Sequence, residues 1–167
     1  MKKFLELVKF LTSSASTAIY SRRMRPIALC LFRHNGRILL QPGFDETKQS
    51  AYYRPLGGGI DFREHSAEAV VREIQEELGA EVVDLQFLGV IESIFTHNGV
   101  GRHEYVFIYD AKFVDETLYE QDEIVAKEGF GTFTAVWRSL DEFQDGSARL
   151  VPKGLFDLLK SVETDTH

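Results

Sequence analysis

Hydrophobic and polar residues alternate along this chain in two ways, and together they predict an α+β fold. Short apolar runs rich in β-branched and aromatic residues indicate strands, whereas apolar residues three or four positions apart indicate helices. The first strand-like runs, IALCLFR and RILLQP, flank Asn35-Gly36, a pair that favours a tight hairpin turn. AYYRPL predicts a short strand, residues 82–95 and 103–114 predict two longer paired strands with the second central in a sheet, and TFTAVWRSL predicts the last.

Helical spacing marks the segments between and after these strands. Residues from about Ser66 to Leu78 form an amphipathic pattern that Gly79 ends, as glycine commonly does at the position after a helix. PKGLFDLLKSV predicts a C-terminal helix, and DETLYEQDEIVAKEG predicts an acidic loop or a short helix. Strands in runs with helices between and after them favour a mixed sheet with helices on both faces.

The N-terminal segment MKKFLELVKFLTSSASTA resembles a secretion signal in its first residues only. Glu6 and Lys9 interrupt the apolar core that such a signal needs, and the apolar residues recur at helical spacing. We expect an amphipathic helix and connector over residues 1–21, acting as a dimerisation arm or partner-binding segment. The remaining residues, 22–167, are expected to form one domain.

Composition narrows the classes of function. The chain has 167 residues, enough for one core without disulfide or metal staples, and its formal net charge of -7 argues against general nucleic-acid binding. Its single cysteine, Cys30, lies in an apolar run and is expected to be a core residue of a protein in the reducing cytoplasm. No stretch is long and apolar enough to span a membrane.

The helix predicted over 66–78 carries three glutamates in its last turns. Glu73 is three residues from Glu76 and four from Glu77, so each pair repels by about 0.2 to 0.5 kcal/mol unless a cation neutralises it. Two of the three also lie near the C-terminal end of the helix, where its dipole disfavours negative charge. The simpler alternative, an exposed face with Arg72 pairing along the helix, accounts for Glu76 alone.

Three glycines, Gly57, Gly58 and Gly59, precede this helix. Because glycine lacks a Cβ and accepts unusual φ, a loop of glycines lets the backbone come close to a ligand or a metal. The order of glycine loop, acidic residues and carboxylate helix is more specific than any of its parts. It predicts a site where a hard divalent cation binds carboxylates and phosphate oxygens.

The same stretch resembles the Nudix box, G-x5-E-x7-R-E-U-x-E-E-x-G-U, in which U is aliphatic. Gly58 and Glu64 fill the first fixed positions, and REIQEELGA from Arg72 to Ala80 fills the rest. Ala80 is smaller than the usual aliphatic residue at the last position. The flanking strand pattern, roughly from 27 to 159, is compatible with the rest of the Nudix fold, an α/β/α sandwich around a mixed β-sheet.

This resemblance implies an Mg²⁺- or Mn²⁺-dependent hydrolase that cleaves a nucleoside diphosphate linked to another group. The metal ligands implied are Glu73, Glu76 and Glu77, with Arg72 and Glu64 as the pair that orients them. Bound cations neutralise phosphate charge and acidify the attacking water. Implied substrates are ADP-ribose or dinucleotide polyphosphates, then nucleoside triphosphates. RNA 5′-ends are less favoured by the acidic balance.

Other parts of the site are less defined by the sequence. Some Nudix enzymes use a further glutamate from a downstream loop, and Glu128 matches that position best. Its neighbours Glu120, Asp122 and Glu123 are competitors. Arg54 and the glycines are candidates for phosphate binding, and aromatic residues such as Tyr52 or Phe95 for stacking on a base. The alternative function is a Nudix-fold module that binds a nucleotide without cleaving it.

Overall fold

The computed structural model of the protein describes residues 23–144, 146 and 148–164, and the helix predicted over 1–21 lies outside them. The strands are β1 (Met24–Leu31), β2 (Arg33–His34), β3 (Arg37–Asp45), β4 (Ser50–Arg54), β5 (Leu56–Gly59), β6 (Val82–His97), β7 (Val100–Phe113), β8 (Glu123–Glu128) and β9 (Gly131–Ser139). The helices are α1 (Ser66–Leu78), α2 (Asp141–Gln144) and α3 (Leu155–Thr164), with a 3₁₀ helix at Glu116–Glu120. No helix among these residues is both long and apolar enough to cross a membrane.

The strands form a mixed sheet and an antiparallel one. The mixed sheet has the order β5-β1-β7-β6, in which β1 and β7 run parallel and the other neighbours run antiparallel. The second sheet has the order β2-β3-β9-β8, with β4 paired to β3. The predicted mixed sheet and the central place of the strand β7 are therefore confirmed.

The two faces of β1 pack against different helices, which makes the sandwich. Ala28 and Cys30 belong to the buried cluster that contains Val70 of α1. Leu29, between them in sequence, belongs to the cluster that contains Leu155 of α3. Because successive side chains of a strand point to opposite faces, one buried strand supports helices on both sides. The expected α/β/α sandwich is confirmed, and Cys30 is a buried free thiol.

The sequence predicts that the first two apolar runs pair with each other as a hairpin, but in the structure they pair with other strands. Asn35 and Gly36 do form a turn, with φ of 51° and 72°. This turn joins only the short β2 to β3, while β1 leaves for the mixed sheet, where it pairs with β5 and β7. The reason is burial: β1 is apolar on both faces and fits the centre of a sheet covered on both sides.

The predicted glycine loop is a strand. Gly57 and Gly58 in β5 pair antiparallel with Leu29 and Ala28 of β1. Pro55, which has no N–H for a ladder, separates β4 from β5, and the two strands enter different sheets. The glycines consequently lie on the edge strand of the mixed sheet.

The segment EIVAKE, predicted as an acidic loop or short helix, is the strand β8. Ile124 and Ala126 are buried and their neighbours are exposed, which is the alternation of a strand with one covered face. The acidic residues hid this period in the sequence. The consequence for the site is that Glu128 ends a strand instead of lying in a loop.

Candidate active site

Helix α1 is fixed at both ends by local hydrogen bonds. At its start the Glu68 side chain accepts a hydrogen bond of 3.1 Å from the backbone N–H of His65. At its end Gly79 adopts φ 66° and donates its N–H to the carbonyl of Gln75 at 2.9 Å. These caps set the start and end of α1 and hence the register of its acidic turns.

Arg72 is the centre of a hydrogen-bond hub between α1 and the glycine strand. Its guanidinium donates to both carboxylate oxygens of Glu64, at 2.8 and 2.9 Å, and to Glu73 at 2.9 Å. It also donates to the carbonyl of Gly59 at 2.9 Å and, at the longer distance of 3.4 Å, to Glu76. One cation thus joins the helix, the loop before it and strand β5.

The ion pair between Arg72 and Glu64 fixes the ionisation of both groups. The hydrogen bonds from Arg72, followed by one of 2.9 Å from the backbone of Asp61, lower the pKa of Glu64 to about 2. The same pairing raises the pKa of Arg72 above its ordinary value. Both groups are therefore charged at any physiological pH, and Arg72 cannot leave the hub without exposing an unpaired carboxylate.

Glu77 is the buried acid of the group, with 6% of its surface exposed. Its carboxylate accepts a hydrogen bond of 3.0 Å from the backbone N–H of Gly57. Burial raises the pKa of Glu77 to about 7, and the nearby charges of Glu73 and Glu128 add to the rise, while the Gly57 hydrogen bond and Arg54 oppose it. A buried carboxylate near two other acids is an arrangement that a bound cation would stabilise.

The glycines have separate steric roles. A Cβ on Gly57, which has φ +120°, would lie 2.3 Å from the carbonyl oxygen of Ala28, so the strand could not pair as it does. A Cβ on Gly58 would lie 2.6 Å from the carboxylate of Glu73. Gly59 has open space at that position. Close approach of the Glu73 carboxylate to the backbone therefore requires glycine at position 58.

The other two predicted acids, Glu76 and Glu128, are exposed to solvent. The Glu76 side chain is 61% exposed and contacts the hub through Arg72. Glu128, at the end of β8, is exposed, accepts a hydrogen bond of 3.0 Å from Gln41, and is near enough to raise the pKa of Glu77. Its three competitors are also exposed: Glu120, Asp122 and Glu123.

The chemistry of this donor set fits a hard divalent cation. Within the described ranges, no three acidic, histidine or cysteine side chains converge into a metal cage. Mg²⁺ seldom needs one, because it commonly takes one or two carboxylates and completes its shell with water and substrate phosphates. Glu73 and Glu77, which meet consecutive glycines of β5, can supply those carboxylates.

A cleft of about 690 Å³ is lined by residues of β1, β6, β7 and the segment 149–157 together with Arg54, and the acids of α1 are not among its described lining residues. Arg54 joins the two: it lines the cleft and donates a hydrogen bond of 2.9 Å to the carbonyl of Gly57. Six cationic side chains line the cleft against four acidic ones, in a chain whose net charge is -7. The cations are Arg25, Lys48, Arg54, Arg102, Arg149 and Lys153, and the acids are Asp45, Glu92, Glu104 and Asp157. Such a cleft suits an anionic ligand.

Sequence reasoning found Arg54, Tyr52 and Phe95, which line the cleft, but it missed most of the cationic lining. The sequence did contain a signal for Arg25: it lies two residues before Ile27 in β1, so its side chain is on the same face of the strand. The contributions of Arg102 and Arg149 depend on how distant strands and loops meet.

Two sheets sandwiched by helices, with a glycine edge strand joined to an acidic helix through one arginine, define a Nudix-type domain. The model of the family described as NUDIX domain matches residues 22–159. The chain belongs to this family.

Several solved or curated proteins are similar to the chain. The NUDIX hydrolase from Nitrosomonas europaea has a TM-score of 0.61 at 16% identity, over 86% of this chain and 90% of that one. A MutT NUDIX hydrolase from Burkholderia pseudomallei has a TM-score of 0.54 at 26% identity, over 72% and 86%. The NAD-capped RNA hydrolase NudC of Pseudomonas aeruginosa is 29% identical over 140 residues, which span 81% of this chain but 44% of that protein.

Proposed function

We propose that the protein is a metal-dependent pyrophosphohydrolase that cleaves a phosphoanhydride in a nucleoside diphosphate linked to another group. One observation carries the proposal: the carboxylates of Glu77 and Glu73 meet the consecutive glycines Gly57 and Gly58, and Arg54, which donates a hydrogen bond to Gly57, also lines a cleft with excess positive charge. Grouped carboxylates can bind a divalent cation, and a cationic cleft can bind the anionic phosphates of a nucleotide.

In this proposal Glu73, Glu76 and Glu77 hold Mg²⁺ or Mn²⁺, which neutralises phosphate charge and supplies an acidified water. Arg72 holds Glu73 by an ion pair and is held in turn by Glu64. These two residues position the ligands, much as hydrogen-bonded partners orient the ligands of other metal sites. We assign Arg54 and the backbone of Gly57–Gly59 to binding of the phosphates of the substrate.

Glu128 is the proposed further ligand or general base. It is exposed to solvent, is held by Gln41 and lies near Glu77, so it can reach a water beside the metal ligands. A general base must come within hydrogen-bond reach of the proton it removes, directly or through one water.

For the substrate we favour ADP-ribose or dinucleotide polyphosphates over nucleoside triphosphates. The NudC relative is named as a hydrolase of NAD-capped RNA, and an NAD cap contains a nucleoside diphosphate linked to a second nucleoside, which supports this preference. RNA ends rank lower here, because the net charge of -7 disfavours a nucleic-acid chain.

The experiment is a screen of nucleoside diphosphate derivatives with Mg²⁺ or Mn²⁺, with nucleoside monophosphate as the product that is measured. We expect release from at least one derivative with either metal and none in EDTA. No release from any derivative, with protein that is folded by circular dichroism, would contradict the proposal.

The alternative function is nucleotide binding without cleavage, which would use the cationic cleft and would not need the acidic group of α1. The same screen distinguishes the two functions when ligand binding is measured alongside product. Binding with no product under any metal condition would favour the binding module.

The proposed partner is a small nucleotide, and a homodimer through the N-terminal segment is a separate prediction. The free thiol of Cys30 is compatible with a reducing cytoplasm, where we expect the protein to act. Deletion of residues 1–21 followed by measurement of molecular mass tests the dimer. A particle that falls from two chains to one supports this dimer, and an unchanged number of chains per particle contradicts it.

A further inference from the structure

Three cations of the cleft have neither a hydrogen-bond partner nor an ion-pair partner among the described residues. Arg25 pairs with Glu104 at 3.4 Å, Lys48 pairs with Asp45 at 3.2 Å, and Arg54 is held by the glycine strand. The side chains that remain make no hydrogen bond or ion pair within the part of the chain that the structure describes: Arg102, Arg149 and Lys153. Unpaired guanidinium groups beside a cleft are sites for phosphate, which matches their fork of N–H donors.

Arg149 is also held in place. Its guanidinium carbon lies 5.5 Å from the centre of the Tyr52 ring, a cation–π contact. Tyr52 in turn lies against Gly43 of the neighbouring strand, where a Cβ would come within 2.3 Å of the ring. This contact restrains the guanidinium and leaves its N–H groups for a ligand, at a smaller entropic cost than a mobile side chain would have.

Both arginines lie farther from the glycine strand than Arg54 does. Tyr52, on which Arg149 stacks, is two residues farther from the glycine strand than Arg54. Arg102 is six residues before Ile108, which pairs with Leu29 next to Gly57, so it is about 20 Å along the strand from that glycine. A diphosphate held by Arg54 and the carboxylate helix would leave these two cations unused.

We propose that the far end of the cleft binds a second phosphate of the substrate, separate from the anhydride that is cleaved, through Arg102 and Arg149. The substrate class is then a small nucleotide derivative with an additional phosphate monoester. This inference rests on the proposed function for its account of the near end, but its test does not require hydrolysis.

The test is a calorimetric titration in EDTA with ligands that contain no anhydride. The matched probes are 5′-AMP and 5′-GMP against their 2′,5′- and 3′,5′-bisphosphates. We expect at least one bisphosphate to bind the wild type about tenfold or more tightly than its monophosphate, as an additional charge-assisted contact would give. R102Q and R149Q should each reduce that preference and leave monophosphate affinity within about twofold. Lys112→Gln, at an exposed cation outside the cleft, should change neither.

Equal affinity of the wild type for monophosphates and bisphosphates, or no binding of any probe, would overturn the inference. So would a preference that survives in the R102Q/R149Q double variant. A bisphosphate preference in a protein that hydrolyses no derivative would refute the proposed function and leave the second phosphate site standing. Hydrolysis by a protein with no preference for bisphosphates would support the proposed function and refute the second phosphate site.

Discussion

Arg72 donates two hydrogen bonds, of 2.8 and 2.9 Å, to the carboxylate of Glu64, and the same guanidinium donates to Glu73 and to the carbonyl of Gly59. A planar fork with five donors can serve three partners at once, whereas a lysine ammonium is a point charge. The geometry of the hub, and not only its charge, therefore positions the carboxylate of Glu73.

Arg72→Lys keeps the charge and removes the fork, so it should misplace Glu73. We expect kcat/KM to fall about tenfold to a hundredfold, the range for losing a group that orients a metal ligand. The measurement is steady-state hydrolysis of the best substrate from the screen. Arg63→Lys, at an exposed neighbour outside the hub, is the matched control and should remain near wild type. Equal activity in both variants would show that charge alone is sufficient.

Glu64 should make stability depend on pH in the acid range. Its pKa is about 2 in the folded protein against an ordinary 4.5, so the stabilisation by ionised Glu64 is complete above about pH 5 and is lost as pH falls toward 2. The difference in melting temperature between wild type and Glu64→Gln should accordingly be largest near pH 6 and shrink toward pH 2. Using the difference removes the contributions of other acids that titrate in both proteins. A difference that stays constant over this range would contradict the pairing.

Gly58 and Gly59 form a matched pair of adjacent glycines without left-handed φ. In Gly58→Ala the new methyl collides with the movable end of Glu73, so we expect the fold to survive and the activity to fall at least about tenfold. Gly59→Ala has open space and should keep both stability and activity. Comparable activity in the two variants would show that the position of Glu73 is not needed for catalysis.

Gly57→Ala should instead affect stability. Its methyl would meet the backbone oxygen of Ala28 at 2.3 Å, and its φ of +120° is unfavourable for alanine. We expect a loss of about 2 kcal/mol or more in the free energy of unfolding, measured by urea denaturation. A variant as stable as Gly59→Ala would contradict the described pairing of β5 with β1.

The acidic helix α1 could be predicted from the sequence because its signals come from residues that are close together in the chain. The end of α1 follows from Gly79, and the pairing of Arg72 with Glu64 follows from a motif whose residues are close in the chain. The pairing of the first strands was not readable, because Asn35-Gly36 signals a turn without saying how far the paired strands extend. Because both faces of β1 are buried, this strand lies in the interior of the mixed sheet.

The cleft needed the three-dimensional structure because its two walls come from distant parts of the chain. Arg149 reaches Tyr52 across nearly a hundred residues of sequence, and no periodicity predicts that contact. The burial of Glu77 was also hidden, since an acid on a helix is usually exposed. Its place beside Gly57 becomes clear only when β5 is known to be a strand.

The most direct measurement of the central claim is metal-dependent release of nucleoside monophosphate by wild type, Glu77→Gln and the control Glu81→Gln. Glu77→Gln keeps the shape of the side chain and removes its charge, while Glu81 is an exposed acid just after α1. We predict release by wild type and Glu81→Gln with Mg²⁺ and none in EDTA, and a rate lower by about a hundredfold or more in Glu77→Gln with unchanged circular dichroism. Full activity of Glu77→Gln, or release that persists in EDTA, would contradict the account.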